Sequence, residues 1–114
     1  MAKDNKYAKV EGLLYSYSAL QKRIDNAAID IKLEDDTERI DQIKIEKERL
    51  ELTKKKVELM LESLDIKERE IIKLKYIEKL EWDQVDAKLN KLSVRQLIRE
   101  RNRIINEKLI AFIN

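Results

Sequence analysis

The chain has 114 residues, with 25 Lys and Arg against 23 Asp and Glu, a net charge of +2, 42% charged residues and 5% aromatics. The absence of Cys and His excludes disulfides, thiol chemistry and a zinc ribbon, and removes the commonest general base and transition-metal ligand. One Gly and no Pro argue against a turn-rich all-β fold, and no stretch approaches the ~20 apolar residues of a membrane span. The opening MAKDNKYAKV lacks the apolar core of a signal peptide, so a soluble cytoplasmic protein is expected. The Glu, Lys, Leu and Ile content is that of long helices, and an all-α fold is expected.

The first helix is predicted over 4–33. Tyr7, Val10, Leu14, Tyr17, Gln21, Ile24, Ala28 and Ile31 fall on a seam of alternating three- and four-residue steps, and all but Gln21 suit it. Gly12 inside this helix costs about 1 kcal/mol relative to Ala, a cost that a close helix–helix approach would explain. Beyond Glu34-Asp35-Asp36-Thr37 the stripe changes phase, to Ile40, Ile43, Lys47, Leu50, Lys54, Val57, Leu61 and Leu64. Asp and Thr are weak helix formers and good N-caps, so a chain reversal is predicted there. The product is an antiparallel, coiled-coil-like hairpin of 4–33 against 37–63. The alternative is one rod of ~60 residues, roughly 90 Å long. Ile45, Leu52 and Leu59 form a further stripe, about 200° from Ile43, Leu50 and Val57. A two-helix hairpin does not need it, so it should meet the C-terminal part or a second chain in a homodimer.

Asp65, with Glu68 three residues on, opens the next helix with a capping box. Ile71, Ile72, Leu74, Tyr76 and Ile77 follow, to about Glu78. Trp82, Val85 and Leu89 mark a short helix over 82–89, and Asn90-Lys91-Leu92 is a tight connection. Ser93 then caps a helix running to about 112, with a core stripe of Leu97, Ile104, Ile105 and Phe112. Leu109, Ile110, Phe112 and Ile113 are apolar all round, so this end should dock on the hairpin or on another subunit. The organisation is therefore 1–63, an association hairpin, and 64–114, a helix-turn-helix domain.

Charge separates the two parts. Residues 1–64 hold 13 basic and 14 acidic side chains, and residues 65–114 hold 12 and 9. Within 88–108 there are seven basic residues against Glu100 and Glu107. On the last helix, Arg95, Gln96, Arg99 and Arg103 lie opposite the core stripe, with Asn102 and Asn106 beside them. Arg and the amides are the side chains able to read G and A edges in a major groove, and Arg also binds phosphate. A solvated helix face is the plainer reading, and a face with several Arg and few acids is less ordinary than a mixed one. Other polar residues read as structural. Asp35 and Asp36 are caps rather than a metal site. Glu68 with Glu70, and Asp83 with Asp86, lie on solvated faces with no nucleophile, oxyanion donors or Gly-rich loop nearby, so no catalysis and no cofactor are expected. Trp82 should pack between helices. Tyr15, beside the seam, is a shoulder packing residue or a contact for another protein.

The run Leu64-Asp65-Ile66-Lys67-Glu68-Arg69-Glu70-Ile71-Ile72-Lys73-Leu74-Lys75-Tyr76 resembles the opening helix of a sigma-factor region-four-type helix-turn-helix. Leu80-Glu81-Trp82-Asp83-Gln84-Val85 resembles its loop-Trp-acid step, and Ser93-Val94-Arg95-Gln96-Leu97-Ile98-Arg99-Glu100-Arg101-Asn102-Arg103 its recognition helix. Lys9-Val10-Glu11-Gly12-Leu13-Leu14-Tyr15-Ser16-Tyr17-Ser18-Ala19-Leu20 is similar to the leading helix of small phage late-gene transcriptional regulators of the ArpU and RinA type. The resemblance implies a phage or prophage transcription regulator of a late operon, with double-stranded DNA as ligand and RNA polymerase as a possible neighbour. It implies that Arg95, Gln96 and Arg99 face bases or phosphates, that Arg103 lies on backbone, and that Ser93 caps the helix and offers its N–H to phosphate. Lys91 and Asn102 complete the expected DNA-binding set; no small-molecule substrate and no membrane are implied.

Two departures bear on the turn. Leu89 to Leu97 spans eight residues where the pattern has seven, and Asp86 stands where Ala is usual. Either Ala87 takes the contact position, or Asp86 is paired, with Arg101 as the expected partner. Two other readings stand beside the regulator. One is the small DNA-recognising subunit of a phage terminase, and the other a helical adaptor that grips polymerase without touching DNA.

Overall fold

The computed structural model describes residues 5–90 and 93–114. It is all-α. Helix α1 (Asn5–Leu33) and helix α2 (Thr37–Glu62) make the antiparallel hairpin. Their contacts run in opposite order, with Tyr17 against Glu58 and Arg23 against Glu46. The reversal falls at the change of phase. Asp36 leaves the helical region, with φ −78° and ψ 119°, and its Oδ1 accepts the Glu38 N–H at 3.2 Å. The rod is thereby excluded.

Val10, Leu14 and Ile24 of α1 and Leu50, Val57 and Leu61 of α2 are buried, as the two seams predict. Gln21 is a correction: it is exposed, and Leu20 takes the inward position. Burying Leu removes apolar surface from water, whereas a buried amide would need partners that the seam does not offer. Ala27, seven residues on, likewise replaces Ala28. Gly12 is a second correction. A Cβ built there would have nothing within 4 Å, so no close helix approach explains it.

Helix α3 (Ile66–Ile72) opens on the predicted capping box. Asp65 Oδ1 accepts the Glu68 N–H at 2.9 Å, and Glu68 Oε1 accepts the Asp65 N–H at 3.1 Å. Arg69 donates to the carbonyls of Leu61 and Leu64, each at 3.0 Å, and so closes the C-terminal end of α2. A wider π turn, Lys73–Ile77, continues α3 and carries Tyr76 fully inside. Lys79, at φ 60°, then turns the chain, and Leu80 N–H donates to Leu74 O at 3.1 Å. Helix α4 (Trp82–Leu89) ends at Asn90, whose φ of 50° is in the left-handed region that Asn tolerates. Helix α5 (Val94–Ile104) continues through a π turn, Ile105–Leu109, and a short 3-10 turn, Ile110–Phe112.

The predicted stripe of α5 holds at Leu97, Ile104 and Ile105, but Phe112 is only half-buried and Leu109 and Ile113 face inward instead. The i→i+5 turn at 105–109 accounts for this, because it delays the inward position by about one residue. The apolar C-terminal end docks on the hairpin, as expected.

The chief core joins the base of the hairpin to the C-terminal segments. It combines Val10 and Leu14, Val57, Met60 and Leu61, Tyr76, and Ile104, Ile105, Leu109 and Ile113. A smaller cluster of Ile71, Leu74, Val85 and Leu97 holds α3, α4 and α5 together. The expected boundary at 63/64 does fall at the break between α2 and α3, yet the main core crosses it. Ile45, Leu52 and Leu59 remain 57%, 64% and 44% exposed, so they do not meet the C-terminal part of their own chain. Among the described residues, no helix is long and apolar enough to cross a membrane.

Candidate nucleic-acid interface

Ser93 caps α5 as expected, its Oγ accepting the Gln96 N–H at 3.2 Å. From this start, ~100° per residue sends Leu97, Ile104 and Ile105 into the core and places Arg95 and Arg99 on the opposite side. Both arginines are exposed and have no ion-pair partner among the described residues. Asn102 and Asn106 are exposed on the same side, one and two turns further along.

The other two arginines of α5 are engaged by the protein. Arg103 is a correction to the expected DNA set. Its Nη2 lies 2.9 Å from Glu68 Oε2 and 2.7 Å from Glu100 Oε1, and its Nη1 lies 3.9 Å from Glu107 Oε1. Glu68, 5% exposed, also accepts from Lys108 Nζ at 2.7 Å. Burial pushes the Glu68 carboxyl up, but hydrogen bonds from Lys108, Arg103 and the Asp65 N–H outweigh it and hold the group at about 2. Arg103 is thereby a strut to α3.

Arg101 faces the other way. Its Nη1 donates to Tyr76 Oη at 2.9 Å and approaches Glu11 Oε2 at 3.4 Å, and its guanidinium stands 5.3 Å from the Trp82 ring centre. This overturns the expected Asp86–Arg101 pair, since Glu11 and Tyr76 hold the guanidinium. The alternative fails as well, because Ala87 is exposed. The α4–α5 contact instead uses Val85 against Leu97. Trp82 packs beside that cluster as expected, with Lys75 Nζ 5.1 Å from its ring centre. Tyr15 is a shoulder residue, edge-on to Tyr76 at 4.7 Å.

Two further members of the expected set are tied locally. Gln96 folds back, and its Oε1 accepts the Ser93 N–H at 3.1 Å. That bond uses both the amide oxygen expected at a base and the N–H expected at a phosphate. Asn102 Oδ1 accepts from Tyr7 Oη and from Arg101 Nε, each at 2.8 Å, leaving its NH₂ to donate outward. Lys91 lies outside the described residues. A shallow groove between α3 and α5 is lined by Asp65, Glu68 and Glu100 and by Lys67, Arg99 and Arg103, so its charges balance and that flank is not a cationic surface. Among the described residues, the unpaired cations on the outer side of α5 are Arg95 and Arg99, with the neutral amides of Asn102 and Asn106 beside them.

Sequence reasoning did not foresee the joint between α1 and α5. Tyr7 was read as a seam residue and Glu11 was given no role. Tyr76 Oη donates to Glu11 Oε2 at 2.6 Å across 65 residues of sequence. No local pattern couples positions so far apart. Among the described residues, no group of three His, Cys, Asp or Glu side chains is placed to hold a metal ion.

The family described as a protein of unknown function (DUF722) matches residues 44–109. The chain belongs to this family. The DUF722 region runs from the second turn of α2 through the π turn after α5, so it contains Arg95 and Arg99 and leaves out Tyr7 and Glu11. No curated protein and no solved structure matches the chain.

Proposed function

We propose that this chain is a sequence-specific double-stranded DNA-binding regulator of transcription, acting as a homodimer in the cytoplasm of a bacterial host. The resemblance to phage late-gene regulators makes a late operon of a phage or prophage the target and RNA polymerase the neighbour. The observation that carries the reading is the pair Arg95 and Arg99, exposed on the outer face of a capped helix whose inner face is fixed in a core. A helix of this kind fits the major groove, where Arg pairs in bidentate fashion with G and the amides of Asn102 and Asn106 supply further donors. The exposed stripe on α2 supports self-association. A dimer would set two recognition helices about 34 Å apart, one duplex turn.

The test is binding to phage promoter fragments over a salt series. Specific binding whose log K falls steeply with log salt is expected. Arg99→Ala should cost ~1–3 kcal/mol if it reads a base, or lower the salt slope by about one if it holds a phosphate. Arg103→Ala should leave the slope intact. No duplex binding at about 50 mM salt, with polymerase capture retained, refutes the reading in favour of the adaptor. An assembly of eight or more chains refutes it in favour of the packaging subunit.

A further inference from the structure

Tyr7, Glu11 and Tyr15 stand four residues apart along one face of α1. All three reach the C-terminal half of the chain. Tyr7 Oη donates to Asn102 Oδ1 at 2.8 Å. Glu11 Oε2 accepts from Tyr76 Oη at 2.6 Å and lies 3.4 Å from Arg101 Nη1. Tyr15 packs edge-on against Tyr76, with ring centres 4.7 Å apart. Glu11 and Tyr15 are not among the buried residues of the α1–α2 seam, which Val10, Leu14 and Ile24 form with Leu50, Val57 and Leu61.

We infer that α1 aims the recognition helix, and that Glu11 is a positioning residue for DNA reading by Arg95 and Arg99. The inference rests on the DNA-binding reading above. Arg101 and Arg103 leave α5 about 200° apart, so the grip of Glu11 and Tyr76 on one and of Glu68 on the other fixes the rotation of the helix about its axis. Arg99 lies two residues before Arg101 and inherits that setting. A side chain whose tip is ~6 Å from the axis moves by ~2 Å when its helix turns 20°, beyond the ~0.5 Å tolerance of a productive binding geometry. Burial, together with its hydrogen bond to the Glu11 carboxylate, holds the Tyr76 hydroxyl protonated far above its usual range, so it remains a donor at neutral pH. The two α1 side chains that hold α5 lie outside the DUF722 match, so specificity would depend on a helix that the family region does not contain.

The experiment uses the full chain and a pool of random-sequence duplexes of about 30 bp, enough for two half-sites one turn apart. Sequences enriched by the wild type are compared with the unselected pool for wild type, Glu11→Gln and Tyr76→Phe. Tyr76→Phe keeps the packed ring and removes only the hydroxyl. The ratio of affinities for enriched over unselected duplex should fall about tenfold or more in both variants, a small part of a typical specificity ratio. The salt slope on unselected duplex should not change, because Arg95 and Arg99 are still present. Mere loss of stability would lower the fraction of active protein and leave that ratio where it was. If Glu11→Gln fails to fold, Tyr76→Phe decides. An unchanged ratio overturns the inference alone, whereas a wild type that enriches no sequence overturns the DNA-binding reading and the inference with it.

Discussion

Glu68 offers the sharpest test of how the C-terminal helices are held. The carboxylate is buried, accepts the Asp65 N–H at the head of α3, and receives Arg103 and Lys108 from the far end of the chain. Held at about 2 against an ordinary 4.5, it contributes about 3 kcal/mol to stability at neutral pH, reduced to roughly 2 kcal/mol because both cations are partly exposed and screened. The native carboxyl is more acidic than the unfolded one, so the contribution is complete above about pH 5 and is lost as pH falls towards 2. By pH 3 more than half of it should be gone, since the unfolded chain is then almost wholly protonated at this site. Glu68→Gln keeps an acceptor for the cap and removes the charge. Urea unfolding followed by circular dichroism should find the variant less stable by about 2 kcal/mol at pH 7 and by less than 1 kcal/mol at pH 3. A difference between the two proteins that is the same at both pH values would refute the argument, as would one below about 0.5 kcal/mol at pH 7.

Gly12→Ala should raise stability by up to about 1 kcal/mol, because the position is helical and the added methyl meets nothing; a loss of stability in urea unfolding would show that the backbone there needs glycine. Leu52→Glu, at the centre of the exposed stripe on α2, should convert a two-chain species into a single chain in sedimentation with helical content unchanged. A wild type that sediments as one chain at its highest soluble concentration would refute self-association through that face.

Periodicity and caps were enough to read the architecture. The change of stripe phase at Glu34–Thr37 located the reversal, and the Asp65/Glu68 box and Ser93 located two helix starts, because each is a local signal: a few residues determine where backbone N–H groups find acceptors. The outward face of α5 was equally legible at Arg95 and Arg99. The rest was not local. Whether an arginine reaches solvent or an internal carboxylate depends on what packs beside it, and Arg103 meets Glu68 from 35 residues away. Gln96 was ambiguous for another reason, since an amide at the third helical position serves a cap as well as it serves a base, and here its oxygen is in the cap. The π turns at 73–77 and 105–109 left no mark in the apolar spacing, so the inward shift to Leu109 and Ile113 could not be anticipated.

The core that spans the break between α2 and α3 makes the two halves of the chain dependent on one another. Val10 and Leu14 at one end of the sequence are walled in by Ile105, Leu109 and Ile113 at the other. A recombination joint placed at residue 64 would leave both fragments with raw, water-exposed interiors, so the hairpin cannot be traded between proteins like a detachable handle. Whatever lineage carries this C-terminal half must carry its own first helix along, and a change in the bulk of either terminus must be answered at the opposite one.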